Sequence, residues 1–224
     1  MCGIVAVTGF KNALPLLING LEKLEYRGYD SAGIAIINSE TQNITCNKAE
    51  GKLKNLKNLI NNKNIPGTIG IGHTRWATHG KPSVKNAHPH IDSSGKIAVV
   101  QNGIIENFQE LKNKLEKEGI VFSSDTDTEV IPHLIQRELN TLGKLNLDNN
   151  GSTLLVAVRN VINDLEGSYA LAVLWSGAPN SLVVARRQAP LIIGLGEGEF
   201  MCASDTPAIA NFTNIILPME DEEI

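Results

Sequence analysis

The sequence predicts a single α+β domain whose sheets are largely antiparallel. Short apolar runs rich in β-branched residues recur along the 224 residues, and several are joined by brief, turn-rich links. Helical stripes of apolar residues occupy the longer gaps between these runs. Because runs joined by short links form hairpins, most strands are expected to pair antiparallel.

Two hairpins are predicted where a short polar link separates two apolar runs. The links are SGAPNS at 176–181 and GEGE at 196–199. The predicted strands, in chain order, are Ile4–Val7, Gly33–Ile37, Ile69–Ile71, Ile97–Val100, Tyr169–Leu174, Leu182–Val184, Leu191–Ile193 and Ile215–Leu217.

The first predicted helix carries a stripe of apolar residues spaced three and four apart, Leu14, Leu17, Ile18, Leu21 and Leu24. A Lys- and Asn-rich stretch at 52–64 is predicted to form a short amphipathic surface helix followed by a loop. Further helices are predicted around Leu111 and Leu115, over Val130–Leu139 and over Leu154–Leu165, with an Asn- and Gly-rich connection at 140–152.

Composition and charge exclude several classes of partner. The net charge is −4 and no stretch is dense in Lys or Arg, which argues against a nucleic acid or an anionic membrane surface. No apolar segment is long enough to span a bilayer, and no signal peptide is recognisable, so a cytoplasmic location is expected. The acidic end MEDEEI (219–224) is interpreted either as a solvated tail or as the point where a longer polypeptide is cut.

Four histidines fall within eighteen residues, namely His73, His79, His88 and His90. Closely spaced histidines can bind a metal, but no Asp, Glu or Cys completes a ligand set at regular spacing. They are therefore interpreted as polar loop residues, and no metal is expected. His133, near the start of a predicted helix, is interpreted as structural.

Two charged residues on separate predicted loops suit the ends of an amino acid. Arg75 lies beside Trp76, and arginine is the side chain best able to bind a carboxylate through two hydrogen bonds. Asp127 occupies an N-cap position before a helix, where a carboxylate can cap and still accept from an ammonium group. Each residue also has an ordinary explanation, as a surface charge or as a cap.

The dipeptide Asn102–Gly103 follows the apolar run Ile97–Val100 and is first of all a turn signal. Its functional interpretation is an oxyanion hole. An asparagine NH2 and a glycine N–H, unobstructed by a Cβ, could converge on a developing alkoxide.

The start of the chain, MCGIVAVTG, places Cys2 directly behind Met1 and ahead of an apolar strand. Removal of Met1, which cells perform when the second residue is small, would give Cys2 a free α-amine. Its unperturbed pKa is about 7.7–8.0, close to the thiol value of about 8.5. A nucleophile that carries its own general base needs no histidine partner. The other cysteines, Cys46 and Cys202, are expected to be buried apolar residues.

Six motifs in register resemble the class II glutamine amidotransferases. They are the start MCGIV, then YRGYDSAG (26–33), HTRWATHG (73–80), NAHPH (86–90), NGIIEN (102–107) and SDTDTEV (124–130). Within that class the sequence is most similar to the glutaminase domains of glucosamine-6-phosphate synthases, over nearly all of residues 1–224. The resemblance implies the N-terminal nucleophile hydrolase fold, an αββα sandwich of two largely antiparallel sheets between helical layers.

The resemblance also implies which residues carry out the chemistry. Cys2 corresponds to the nucleophile and its freed α-amine to the base, while Asn102 and Gly103 correspond to the oxyanion hole. Arg27 supports the geometry around the terminus. In one departure, Gln101 stands where many relatives carry histidine, and a glutamine cannot titrate near neutral pH.

Five residues correspond to the glutamine-binding pocket of the family. Arg75 matches the residue that binds the α-carboxylate, and Asp127 the one that binds the α-ammonium group. Thr78 and His79 line the same pocket, and Trp76 sits in the loop that closes over it.

The resemblance implies hydrolysis of L-glutamine to glutamate and ammonia through a Cys2 thioester, without a cofactor. In full-length family members, which are homodimers, the ammonia passes to C-terminal isomerase domains of the same polypeptide and converts fructose 6-phosphate to glucosamine 6-phosphate. Nothing in these residues resembles those domains. Three alternatives stay open: another class II amidotransferase, an inert glutamine-binding module if Met1 is retained, and a metal hydrolase built on the histidine cluster.

Overall fold

A computed structural model describes residues 2–76, 80–144 and 151–224. The described residues form two antiparallel sheets that pack face to face, with helices on both outer faces. This four-layer arrangement confirms the predicted αββα architecture. Strands and helices are numbered in chain order.

The larger sheet has seven strands, all paired antiparallel. At its centre lies β1 (Gly3–Thr8), the strand directly behind Cys2. The order across the sheet is β11 (Ile216–Pro218), β9 (Ile192–Leu195), β10 (Phe200–Ala203), β1, β4 (Ile69–Arg75), β2 (Ser31–Ile37) and β3 (Ile44–Glu50).

The smaller sheet has four strands, also antiparallel. Its order is β5 (His90–Ile91), β6 (Ile97–Ile105), β7 (Gly167–Trp175) and β8 (Leu182–Arg187). The long strand β6 lies opposite β1 and β4 of the larger sheet. Most of the candidate site residues described below lie along or next to these three strands.

Helices α1 (Ala13–Leu24) and α2 (Leu53–Ile60) cover the larger sheet. Helices α3 (Phe108–Lys117), α4 (Val130–Lys144) and α5 (Gly151–Asn163) cover the smaller one. All five coincide with predicted helical stripes. None of the helices in the described part of the chain combines the length and apolarity that a bilayer crossing requires.

The alternation of residues along each strand separates three buried layers. Val5 and Val7 of β1 face α1, whereas Ile4 and Ala6 face the second sheet. The layer between the sheets is rich in alanine, including Ala98 on β6. Small side chains there let the two backbones approach closely, which brings polar groups on facing strands within hydrogen-bonding distance.

The eight predicted strands and both predicted hairpins are confirmed, but several strands run further than expected, and two of these extensions contain site residues. β4 continues to Arg75, so this residue ends a strand instead of lying in a loop. β6 continues through Asn102 and Gly103, which pair with Ala170 and Tyr169 of β7. The turn predicted at Asn102–Gly103 is therefore wrong. These two residues pair with the long strand β7, and this pairing keeps them in the strand instead of reversing the chain.

Three strands, β3, β5 and β10, were not predicted. β3 has the mixed sequence ITCNKAE and lies at an edge, β5 has only two residues, and β10 is the short return strand of the GEGE hairpin. β3 pairs with β2 and β5 with β6, their neighbours along the chain, whereas β10 pairs with β9 and with the distant β1. Local composition indicates such short or mixed strands poorly.

The acidic segment 219–224 is held against β8 and is not a free solvated tail. The Nη1 of Arg186 donates to the carbonyl of Met219 at 2.8 Å, and the backbone N–H of Arg186 donates to the carbonyl of Glu223 at 3.0 Å. Arg187 pairs with Glu222 at 3.1 Å.

Candidate active site

A small cleft at one edge of the sandwich is lined by five of the residues predicted from sequence: Cys2, Arg75, Trp76, Gly103 and Asp127. They come from four separate segments of the chain. Cys2 precedes β1, Arg75 ends β4, Gly103 lies within β6, and Asp127 precedes α4. The fold therefore gathers the predicted nucleophile and the predicted binding groups at one place.

The Cys2 thiol faces the end of β4. Its Sγ lies 3.2 Å from the backbone nitrogen of Trp76, whose N–H donates to it. Burial raises the pKa of the Cys2 thiol, and the Trp76 N–H opposes that rise by stabilising the thiolate. Gly28 packs against the Arg75–Trp76 peptide that supplies this N–H, and a Cβ at that position would come within 2.7 Å of the Arg75 carbonyl carbon.

The backbone carbonyl of Cys2 accepts two hydrogen bonds. The Nε of Arg27 and the Nδ2 of Asn102 each donate to it at 3.1 Å. Arg27 is itself buried and pairs with Asp205 at 2.6 Å, and Asp205 also accepts from Tyr26 at 2.6 Å. The position of the terminus is thus set through the peptide of Cys2, independently of its side chain.

The Asn102 side chain is buried between the two sheets. Its Oδ1 lies 3.0 Å from the Nε2 of His73, which is also 3.1 Å from the carbonyl oxygen of Gln101. Burial lowers the pKa of His73 to about 3, although the hydrogen bond to Asn102 opposes that shift. The imidazole is therefore neutral near pH 7, and its Nε2 faces two hydrogen-bond acceptors.

Gly103 adopts a φ of 110° inside β6, a conformation that favours glycine. A Cβ at this position would lie 2.1 Å from the carbonyl oxygen of Ser168 on β7. Glycine is therefore required here both by backbone conformation and by the close approach of the neighbouring strand. Gly103 lines the same cleft as Cys2, which is where an oxyanion-hole donor is needed.

Arg75 is buried and its guanidinium is held from two directions. Its Nη2 donates to the carbonyl of Gly80 at 3.2 Å, and its Nη1 lies 3.9 Å from Asp30. A buried guanidinium at the cleft wall is suited to a carboxylate ligand. Beside it, Trp76 is 48% exposed and packs edge-on against Tyr29 at 5.3 Å between ring centroids.

Asp127 is buried, and its Oδ2 accepts from the backbone N–H of Ile105 at 2.8 Å. Helix α4 begins at Val130, so Asp127 lies ahead of the N-cap position expected for it. This contact ties the segment before α4 to the last residue of β6, and it places the carboxylate at the cleft wall.

A second hydrogen-bonded group surrounds Gln101. Its backbone N–H donates to the Nδ1 of His88 at 3.3 Å, and the hydroxyl of Thr128 donates to its Oε1 at 2.7 Å. Thr128 also lies 3.3 Å from the Nε2 of His88, which closes a ring of contacts. Gln101, His88 and Thr128 all reach the cleft.

The three described histidines of the predicted cluster form a buried stack. The rings of His73 and His88 stack at 4.2 Å, and His90 packs edge-on against His88 at 4.7 Å. Burial lowers the pKa of His88 well below its usual value, and that of His90 to about 3. Across residues 2–76, 80–144 and 151–224, no three His, Cys, Asp or Glu side chains are placed to hold a metal ion.

His133 is buried in the first turn of α4 and packs edge-on against Phe122 at 5.2 Å. Of the other cysteines, Cys202 is buried as expected, whereas Cys46 is only half-buried at the margin of the layer between the sheets. The predicted pocket residues Thr78 and His79 lie outside the described residues, so their roles stay predictions.

Sequence reasoning missed three residues that support the site. The sequence suggests His73 only as a metal ligand or a loop residue, gives no reason to single out Asp205, and indicates Thr128 only as part of a helix start. Asp205 is 178 positions from its partner Arg27 and His73 is 29 from Asn102, so no local pattern could have paired them.

Comparisons with known proteins identify the family to which the chain is similar. Residues 73–211 match the family described as "Glutamine amidotransferase domain". Two curated relatives are each called glutamine–fructose-6-phosphate aminotransferase [isomerizing]. The protein from Thermosynechococcus vestitus is 53% identical over 224 residues and that from Nostoc sp. is 54% identical over the same length. The chain is covered completely but spans only 34% and 35% of these relatives, about a third of their length.

Two solved structures share the fold. The glutamine phosphoribosylpyrophosphate amidotransferase of B. subtilis matches with a TM-score of 0.75 and 28% identity, over 93% of this chain and 43% of that one. A structure described as the allosteric regulatory enzyme of purine biosynthesis matches with a TM-score of 0.79 and 28% identity, over 98% and 45% of the two chains. Both matches confirm the predicted amidotransferase fold, and the family match covers more than half of the sequence. The chain belongs to the glutamine amidotransferase family.

Proposed function

We propose that this chain hydrolyses L-glutamine to L-glutamate and ammonia, with Cys2 as the nucleophile. The observation that carries the proposal is the single cleft shared by Cys2, Gly103, Arg75 and Asp127. A buried guanidinium and a buried carboxylate from separate segments match the two charges of an α-amino acid, and Cys2 and Gly103 line the same cleft.

In this proposal the Cys2 thiolate attacks the side-chain amide carbon of glutamine. The N–H of Gly103 and the NH2 of Asn102 stabilise the oxyanion of the tetrahedral intermediate. Once Met1 is removed, the α-amine of Cys2 takes the thiol proton and gives it to the departing ammonia. Water then releases glutamate from the γ-glutamyl thioester.

The same proposal assigns the remaining predicted residues. Arg27 holds the Cys2 carbonyl, and Thr78 and His79 complete the pocket for the α-carboxylate. Trp76 belongs to the segment that closes over bound glutamine.

For the whole protein we propose the activity in the names of its relatives, transfer of glutamine nitrogen to fructose 6-phosphate. Residues 1–224 would act as its glutaminase domain, passing ammonia to isomerase domains of the same polypeptide in a cytoplasmic homodimer. The 53% identity to a relative of that name supports this substrate over that of another class II amidotransferase. The 224-residue chain by itself is expected to form no glucosamine 6-phosphate from glutamine and fructose 6-phosphate.

The test measures glutamate and ammonia released by the purified chain, after intact-mass measurement has established that Met1 is absent. The wild type and the control Cys46→Ser are expected to be active, and Cys2→Ser to lose activity by at least about 10³-fold. An electrophilic glutamine analogue should label Cys2. Labelling of Cys46 or Cys202 instead, or full activity in Cys2→Ser, would contradict the proposal. A chain that retains Met1 and is inactive would support the inert binding module.

A further inference from the structure

We infer that His73 is a positioning residue that fixes the orientation of the Asn102 side-chain amide for oxyanion stabilisation. The inference rests on the proposed glutaminase function. His73 lies within β4 of the larger sheet and Asn102 within β6 of the smaller one, so their contact bridges the two sheets. No predicted motif assigned this pairing.

The proton on the imidazole can be located from its neighbours. Nε2 lies 3.0 Å from the side-chain oxygen of Asn102 and 3.1 Å from the carbonyl oxygen of Gln101, and both oxygens can only accept. Nδ1 is buried without a partner among the described residues. A neutral imidazole carries one N–H, and that N–H must therefore be on Nε2.

This N–H determines which end of the Asn102 amide faces which neighbour. If the amide were turned end for end, its NH2 group would face the Nε2–H and its oxygen would face the Cys2 carbonyl, placing like groups together at both ends. In the observed orientation Nδ2 donates to the Cys2 carbonyl at 3.1 Å. An amide nitrogen carries two hydrogens, so a second one is left for an oxyanion formed at Cys2.

The imidazole has little freedom to move or to change its charge. His73 is fully buried, and its ring stacks on His88 at 4.2 Å. The charged and titratable groups around it are Arg75 on its own strand and the histidines His88 and His90 across the interface. Burial and the positive charge of Arg75 both lower the pKa of His73, and the two neighbouring histidines are themselves neutral, so the donor stays neutral through the working pH range.

Three substitutions at position 73 separate positioning from mere filling of space. A glutamine amide nitrogen reaches about as far as imidazole Nε2, whereas an asparagine nitrogen reaches only as far as Nδ1. His73→Gln should therefore keep kcat for glutamine hydrolysis within about 5-fold of wild type. His73→Asn and His73→Leu should lower kcat by roughly 10²-fold, with KM changed less than about 3-fold, because the lost interaction acts on the oxyanion.

Two further measurements make the test specific. Alkylation of Cys2 by iodoacetamide forms no oxyanion, so its rate should be unchanged in all three variants. In an Asn102→Ala background, His73→Leu should cost less than about 2-fold, because the group that it positions is gone. Thermal unfolding of each variant shows whether the protein assayed is folded, and the comparison of Gln with Asn stands even if Leu fails to fold.

The inference is overturned if His73→Asn is as active as His73→Gln, or if the His73 and Asn102 effects multiply independently. Absence of glutamine hydrolysis by the wild type would be a failure of the proposed function. In that case ¹⁵N NMR of the histidines decides the inference separately. A hydrogen on Nε2 of His73 supports it, and a hydrogen on Nδ1 overturns it.

Discussion

The two sheets contribute to the cleft in different ways. The larger sheet supplies groups at strand ends, with Cys2 just before β1 and Arg75 and Trp76 at and after the last residue of β4. The smaller sheet supplies Asn102 and Gly103 from inside β6, where the backbone is paired with β7. A residue inside a strand is held in place because the residues before and after it are also paired. A residue at the end of a strand lacks one of these supports and can adjust to a ligand.

This difference matches the roles proposed for the two sets. An oxyanion hole must be preorganised, because donors that have to reorganise during the reaction lose most of their effect. Groups that bind and enclose a substrate need some freedom to open and close. Substitutions inside the strands should therefore cost more than substitutions at their ends.

Among the cleft residues, the largest effect on stability is expected at Gly103. Gly103→Ala forces a Cβ to within 2.1 Å of the Ser168 carbonyl oxygen and adds strain at a φ of 110°, so the free energy of unfolding should fall by about 3 kcal/mol. Urea denaturation measures this. Gly95 is the matched control, with a φ of 74° and no atom within 4 Å of the place a Cβ would take, and Gly95→Ala should cost about 1 kcal/mol. Equal losses would mean that the pairing of β6 with β7 does not constrain the site.

The next largest effect is a loss of folding stability at acid pH, caused by the buried His73 in the interior of β4. Its folded-state pKa is about 3, and the unfolded value is about 6.5. Between these values the unfolded chain binds more protons, so stability falls as the pH falls, by about 2 kcal/mol between pH 6.5 and pH 5. His73→Gln removes this titration and should flatten the dependence of the unfolding free energy on pH. His88 and His90 act in the same direction in both proteins, so identical slopes would contradict the burial argument.

A smaller effect is expected for Arg75 at the end of β4. Arg75→Lys keeps the charge but loses the planar pair of donors, and KM for glutamine should rise about 10-fold, equivalent to about 1.4 kcal/mol. Steady-state kinetics measures it. Arg137→Lys on α4, outside the cleft and paired with Glu118, is the control and should leave KM unchanged. A rise in KM of about 10³-fold would instead mean that Arg75 is held as firmly as the residues inside the strands.

The smallest effect is expected for Trp76, which is 48% exposed. Trp76→Ala should lower the free energy of unfolding by less than about 1 kcal/mol, because little buried surface is lost and the N–H that contacts Cys2 is retained. The other tryptophan, Trp175 in β7, is only 7% exposed, and Trp175→Ala should cost about 3–5 kcal/mol. Thermal or urea unfolding of both variants compares them directly, and similar losses would contradict the assignment of Trp76 to an adjustable strand end.

Local sequence patterns predicted the helices, most strands and the cleft residues that stand in recognisable motifs. They failed where the outcome depended on a distant partner. Asn102–Gly103 has the composition of a turn, yet pairing with β7 keeps it extended. His73 acquires its contact to Asn102 only because β4 and β6 face each other, and Asp205 matters only because it pairs with the distant Arg27. Such contacts follow from tertiary packing, which a pattern of neighbouring residues does not contain.

The acidic segment held by Arg186 and Arg187 has a consequence for solubility. β8 is the edge strand of the smaller sheet, and an uncovered edge offers its backbone N–H and C=O groups to strands of other molecules. Here the carbonyl of Glu223 accepts a hydrogen bond from the backbone N–H of Arg186, and the carboxylate of Asp221 accepts one from the backbone N–H of Gln188. The segment therefore occupies hydrogen-bonding positions that could otherwise start aggregation, and it surrounds them with negative charge.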